Sequence, residues 1–335
     1  MSKKNKSMKK TVVKIIAVVC IIGLSFGVGI SQIGIEQLLE AQTVEEIFTV
    51  AHDIYIQMSS GENENLIGTN YSDARYEIAQ TTGELEVYVF DVGQADCTLI
   101  GSSGEFMLID AGNNADGKYI VNQLQSMGID DINYLIGTHP HEDHIGGLDD
   151  VIKNFNVRNL YMPDMKYDSS TYRNVISAAD KKKLEVVEPK VGHKFTVGEA
   201  ICEVMCVDGD ADDANHASIV IEVTHGANKL LFMGDAEIVN EETRLWNDVA
   251  VLKVGHHGSS TSSSDDFLEQ VAPEIAIISC GTGNSYGHPH RETMTALKGM
   301  NLEILRTDTQ GTIHVISDGK SCKTAVVDID LDGEE

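Results

Sequence analysis

The chain has 335 residues, 42% of them apolar and 6% aromatic, enough for one large or two modest domains with a real core. Its 5 prolines and 23% charged residues exclude a proline-rich linker protein and a disordered chain. Charge is divided unevenly: residues 1–30 hold six lysines and no acid, which leaves 52 acids against 19 bases, a net of −33, on the rest. So acidic a surface repels phosphate backbones and anionic headgroups, and stable nucleic-acid binding is not expected. Brief contact with a phosphodiester at a metal site stays open.

Lys3, Lys4, Lys6, Lys9, Lys10 and Lys14 precede an uncharged run from Ile15 to Ile35. As a helix that run is about 32 Å long, close to the ~30 Å hydrocarbon core of a bilayer. Residues 1–35 are therefore expected to form a lysine-rich cytoplasmic end and a single N-terminal transmembrane helix, with everything beyond it extracytoplasmic. A cleaved signal would leave a secreted form, but no A-x-A-like site follows the apolar core, and the run continues past Cys20. Residues 36–83 read as a helical stalk and polar linker, with apolar spacing through Leu38, Leu39, Val44, Ile47, Phe48 and Ile54.

From Glu84 the texture changes to short strands and turns. Strands are predicted at 84–91, 95–100 and 106–109, like an antiparallel meander, then a helix over 118–127 and a strand over 133–137. The later half gives strands near 201–207, 218–223 and 229–233, a helix over 236–246 and a strand over 249–254. Helices over 265–271 and 291–300 then alternate with strands at 274–279, 303–306, 312–316 and 324–328. Two strand-rich halves with interposed helices imply two packed sheets with helices outside, over residues 84–330, before an acidic tail at 331–335. Cys97, Cys202, Cys206, Cys280 and Cys322 are too few and too scattered for a disulfide framework and read mostly as small buried residues.

The chemistry concentrates in Thr138-His139-Pro140-His141-Glu142-Asp143-His144, between a strand and Gly146-Gly147 with a helix after it. Three imidazoles and a carboxylate packed so closely would compete for the same partners if they served only the core. Imidazole nitrogen and carboxylate oxygen suit zinc and related divalent ions. The H-x-H-x-D-H spacing lets one loop feed two ions, His139 and His141 to one, Asp143 and His144 to the other. Asp235 follows the apolar strand Leu230 to Met233 and a glycine, which places a carboxylate at a strand end, either as a metal bridge or as a helix cap. His256-His257-Gly258-Ser259 enters a serine-rich loop, and one of the two histidines completes the second ion's shell while the other orients substrate or acts as an acid. Lys253 either adds a positive charge beside the site or faces solvent. His288 lies in a glycine- and proline-containing loop before a helix, as a ligand or a proton donor.

H-x-H-x-D-H after a strand resembles the signature of the metallo-β-lactamase superfamily. Phe90-Asp91-Val92-Gly93-Gln94-Ala95-Asp96, Leu108-Ile109-Asp110-Ala111-Gly112-Asn113, Gly234-Asp235-Ala236-Glu237, Lys253-Val254-Gly255-His256-His257-Gly258-Ser259 and Tyr286-Gly287-His288-Pro289 follow the order of its ComEC-like branch, which includes the extracellular domain of DNA-uptake competence proteins. The resemblance implies a four-layer αββα sandwich of mixed α/β class. It also implies a dinuclear zinc or manganese site drawn from His139, His141, Asp143, His144, Asp235 and the His256–His257 pair. One departure stands out: where many members place another histidine ligand, this chain has Asn215-His216-Ala217-Ser218, so His216 either restores that ligand or merely tops a strand.

Such a centre activates water, with hydroxide held between the metals as attacking group and Asp143, Lys253, His257 and His288 as the candidates to assist it. The expected function is a membrane-anchored extracytoplasmic hydrolase of phosphodiesters, with DNA or a cell-wall polymer as substrate. The alternatives are a cell-wall ester or lactam hydrolase and a non-catalytic surface protein that keeps the fold. Loss of the metal ligands would mark the last, and they are present. A nucleic-acid-binding module would need a basic stripe or exposed aromatics, and one tryptophan on an acidic exterior supplies neither.

Overall fold

The computed structural model describes residues 83–327; the lysine-rich end, the apolar run, the stalk and the acidic tail lie outside them. Among the described residues no helix is long and apolar enough to cross a membrane. The chain opens with β1 (Leu85–Val89), β2 (Thr98–Ser102) and β3 (Glu105–Ile109), an antiparallel meander, and continues in parallel through β4 (Asp131–Ile136), β5 (Asn156–Tyr161) and the short β6 (Val186–Val187). Parallel pairing needs crossovers, and helices α1 (Gly117–Ser126), α2 (Glu142–Ile145), α3 (Leu148–Asn154) and α4 (Ser170–Lys182) occupy them.

The second sheet starts as a meander of β7 (Lys194–Val197), β8 (Ala200–Cys206), β9 (Val220–His225) and β10 (Asn228–Phe232). The one-turn α5 (Ile238–Glu241) follows, then parallel β11 (Val251–Lys253), β12 (Ile275–Ile278) and β13 (Glu303–Arg306), with α6 (Asp265–Val271) and α7 (Arg291–Gly299) between them. After the single turn α8 (Thr307–Gln310), the chain returns to the first sheet as β14 (Thr312–Ser317) and β15 (Cys322–Val327). The strand orders are β15-β14-β1-β2-β3-β4-β5-β6 and β13-β12-β11-β10-β9-β8-β7.

Side-chain alternation along the strands creates the layers. Val87, Val89, Ile109, Ile221, Leu230 and Ile277 meet between the sheets. Their neighbours Leu108 and Leu135 point the other way, onto Ile120, Leu124, Val151 and Val175 of the first helical layer. Leu231, Leu252 and Ile278 likewise pack on Phe267, Leu268 and Leu297 of the second. The expected arrangement of helix, sheet, sheet and helix is therefore present. Among the described residues there are five cysteines, four of them buried, and all five are free thiols.

Two expectations are corrected. The helix expected over 236–246 is only the turn Ile238–Glu241. Its carbonyl ladder stops because the Trp246 indole donates to the Glu241 carbonyl at 2.7 Å, while the Glu241 carboxylate accepts from the Ser263 and Ser264 amides. The stretch between 155 and 200, in which no element was expected, holds β5, α4, β6 and β7. A local signal for α4 exists: Ser169 accepts from the Tyr172 amide at 3.0 Å as an N-cap, and Lys181 and Lys182 close the helix.

Candidate metal centre

The histidine motif lies on the loop between β4 and α2, at one end of the first sheet. Thr138 caps the strand: its amide and hydroxyl donate to the two oxygens of Asp110 at 2.8 and 2.7 Å. His139 follows, His141 sits at the N-cap of α2 in extended conformation, and Asp143 and His144 occupy that helix's only turn. One short turn thus spreads four side chains around a single point. Backbone bonds sew this turn to neighbouring loops, from the Asp96 amide to the Asp143 carbonyl at 3.0 Å and from the Ala111 amide to the His144 carbonyl at 2.7 Å.

The second sheet supplies the opposing groups. Asp235 follows β10 after Gly234, and His256 and His257 follow β11 with left-handed backbone, φ 49° and 52°. Two successive non-glycine residues in that region store strain of about 1–3 kcal/mol each, which surrounding structure must sustain. Asp235 is buried and faces four imidazoles. Its Oδ2 lies 3.7 Å from both His139 Nε2 and His256 Nε2. Its Oδ1 lies 3.2 Å from His144 Nε2 and 3.7 Å from His257 Nε2. Asp143 closes the second group, its Oδ2 3.4 Å from His257 Nε2. The candidate ligand groups are accordingly His139, His141 and Asp235 on one side and Asp143, His144 and His257 on the other, with Asp235 between. Asp235 lies between the two groups, one oxygen toward each.

The donors fit divalent metal. His144 Nε2, His257 Nε2 and Asp235 Oδ1 are buried yet have no hydrogen-bond partner, although they converge on one place. Burying each unpaired polar atom costs about 1–3 kcal/mol, so such a group implies an absent common partner. The opposite ring nitrogens are occupied, His144 Nδ1 by Asp110 at 2.7 Å and His257 Nδ1 by the Ser279 carbonyl at 3.1 Å. That is how ligand imidazoles are oriented. Without metal, the electrostatics are contested. Burial opposes a charged His144, but Asp235 and Asp110 hold its pKa well above the ordinary range. Burial equally opposes ionised Asp235, and His144 and His257 nonetheless hold it well below. His139, with burial and then the His144 charge against it, is pushed well down.

The cleft over this cluster has a volume of about 290 Å³, and Gln94, His141, Asp143, Asn215, His257 and His288 line it among others. His288 stands on the far wall, where burial and then the charges of His257 and His256 depress its pKa to about 4. Gln94 accepts from the Gly281 amide at 3.1 Å and turns its own amide to His288 Nδ1 at 3.4 Å.

Two residues sit elsewhere than expected. Lys253 neither lines the cleft nor faces solvent; it is 2% exposed, and its ammonium donates to Asp96 Oδ2 at 2.9 Å. His216 is not brought to the ligand groups; its Nε2 donates to Glu237 Oε2 at 3.0 Å. Asp96, Asp110 and Glu237 were not singled out in the sequence. Asp110 carried a signal like that of Asp235, a carboxylate at the end of an apolar strand.

A family model described as the metallo-beta-lactamase superfamily matches residues 90–282. ComE operon protein 3 of Bacillus subtilis is 29% identical over 256 residues, covering 70% of this chain and 33% of its own. Recombination protein 2 of Haemophilus influenzae is 33% identical over 237 residues, covering 69% and 28%, and competence protein ComA of Neisseria gonorrhoeae is 29% identical over 245 residues, covering 69% and 32%. The chain thus spans about a third of the length of these relatives, which are ComEC-like competence proteins. Since the matched stretch covers more than half of the chain and takes in both loops of the candidate site, this protein belongs to the metallo-beta-lactamase superfamily.

Proposed function

We propose that this chain is a membrane-anchored, extracytoplasmic, metal-dependent hydrolase that cleaves phosphodiester bonds. The observation that carries the reading is Asp235, whose two oxygens each face a separate histidine group beneath an open cleft. His139, His141 and Asp235 would hold one divalent ion, and Asp143, His144, His257 and Asp235 the other. Zinc or manganese bound there would supply an activated water and polarise the bond to be cut. Asp110 and the Ser279 carbonyl hold His144 and His257 in the required tautomer. His288, neutral at physiological pH, donates a hydrogen bond to the leaving oxygen from across the cleft.

The names of the relatives favour a nucleic-acid phosphodiester, while the acidic exterior favours brief contact over tracking along a polymer, or else a cell-wall phosphodiester. The lysine cluster and apolar run support the anchor. The test is turnover of a chromogenic phosphodiester by the full chain in detergent, with zinc or manganese, beside His141→Ala. Activity that disappears in the variant and under chelation is expected, and DNA and teichoic acid are then compared. Two bound ions without phosphodiester turnover would move the assignment to an ester or lactam. A chain that binds no metal would sink the enzymatic reading.

A further inference from the structure

We propose that Glu237 is a positioning residue that sets His256 as a ligand of the first ion. The inference rests on the two-ion reading above and deepens it. Three protein residues, His139, His141 and Asp235, form the first group, which leaves room in the shell of a divalent ion for a further donor beside water. His256, like His216, stands outside the groups whose ligand atoms already lie close together, but its Nε2 is 3.7 Å from Asp235 Oδ2, the same distance as His139 Nε2, so it adjoins the Asp235 oxygen of that group.

Its tautomer follows from its neighbours. His256 Nδ1 lies 3.1 Å from Glu237 Oε1, and a carboxylate offers only lone pairs, so the ring donates from Nδ1. Nε2 is left with a lone pair directed toward Asp235. The Asn215 amide nitrogen, 3.5 Å from Nε2, is a donor and fits the same assignment. Glu237 is itself fixed from several directions. Thr261 donates to its Oε1 at 2.7 Å and His216 to its Oε2 at 3.0 Å. Its side chain and that of Asn240 cap each other's backbone at the start of α5. The backbone places the ring too, because the His256 amide donates to the Gly234 carbonyl at 3.0 Å, one residue before Asp235. A carboxylate behind a ring whose other nitrogen faces a metal site is the arrangement that orients ligand histidines. His216 thereby acts from behind Glu237, not on the metal.

The test is titration of the metal-free full chain in detergent with Zn2+ by calorimetry, and with Co2+ by its visible absorption. The wild type takes two equivalents. In His256→Ala one of the two sites weakens at least tenfold and the other does not. In Glu237→Ala the same site weakens about 10–100-fold. Glu237→Gln recovers most of that loss, since its amide oxygen still accepts from Nδ1; a merely structural role would not show this rescue. Wild-type affinity for both ions in His256→Ala and Glu237→Ala overturns the proposal. So does loss of an ion in His216→Ala while His256→Ala retains two. Uptake of fewer than two ions by the wild type overturns the two-ion reading itself, and turnover enters none of these outcomes.

Discussion

Lys253 and Asp96 form a buried ion pair, Nζ to Oδ2 2.9 Å, and the other oxygen of Asp96 lies 3.5 Å from His257 Nδ1. Burial opposes ionised Asp96, but the Lys253 ammonium keeps its pKa below the usual carboxylate range. The pair joins β11 to the loop after β1 and so couples the two sheets behind the cleft. Lys253→Met strands a buried carboxylate and is expected to cost about 3–5 kcal/mol, whereas the Asp96→Asn, Lys253→Met double variant recovers a substantial part of it. Denaturant unfolding of the four chains of that cycle measures the coupling.

Asp110 gathers the Thr138 amide, the Thr138 hydroxyl and His144 Nδ1 within 2.8 Å. Asp110→Asn turns an acceptor into a donor on one side and no longer holds His144 with Nε2 free. Metal affinity is expected to fall about 10–100-fold with the fold retained, as read by calorimetry beside circular dichroism.

Removing metal should give the chain a particular pH profile. His144 and His257 have raised pKa values in the folded state, so their contribution is complete below about pH 6.5 and is lost as pH rises through the folded values. His139, His141 and His288 have lowered values and act in the opposite sense, destabilising the fold as pH falls below about 6.5. The chelated chain is thus expected to be most stable near pH 6.5 and to lose stability toward pH 8. Saturating zinc should abolish that alkaline decline, because metal takes neutral imidazole. Thermal unfolding between pH 5 and 8 tests both statements, and a metal-free chain that gains stability from pH 6.5 to 8 contradicts the first.

Gly146 lies where α2 crosses the loop after β3. A Cβ there would meet the Asn113 carbonyl carbon and the Asn114 amide nitrogen at 2.2 Å, and backbone cannot step aside as a side chain can. Gly146→Ala is expected to destabilise the fold by about 3 kcal/mol and to displace Asp143 and His144 with it. A combined measurement of unfolding and zinc affinity separates this from Gly128→Ala, whose added Cβ meets no neighbour and whose cost is confined to its left-handed backbone.

Much of the centre was legible before any fold was known, because its chemistry is dense in the chain. His139, His141, Asp143 and His144 fall within six residues, and buried imidazoles so close together have few uses besides metal. The strands of the two sheets were legible for a similar reason, since Val87, Val89, Leu230 and Ile277 sit in short apolar runs bounded by turns. The region from β5 to β7 was not, as its strands carry polar residues such as Asn156 and Lys194 and its helix shows only a cap and a lysine end.

What the chain alone could not decide was which long-range partner each ionisable group would meet. His256 and His257 are adjacent and chemically identical, yet one ring turns its Nδ1 to Glu237 and the other to the Ser279 carbonyl. Lys253 and Asp96 are 157 positions apart, and only the packing of one sheet on the other makes a buried pair of a lysine that local sequence reads as a possible active-site cation and an aspartate that it does not single out. Local spacing determines which side chains share a loop. The meeting of two sheet ends determines which of their nitrogens keep a free lone pair, and on that the candidate metal site depends.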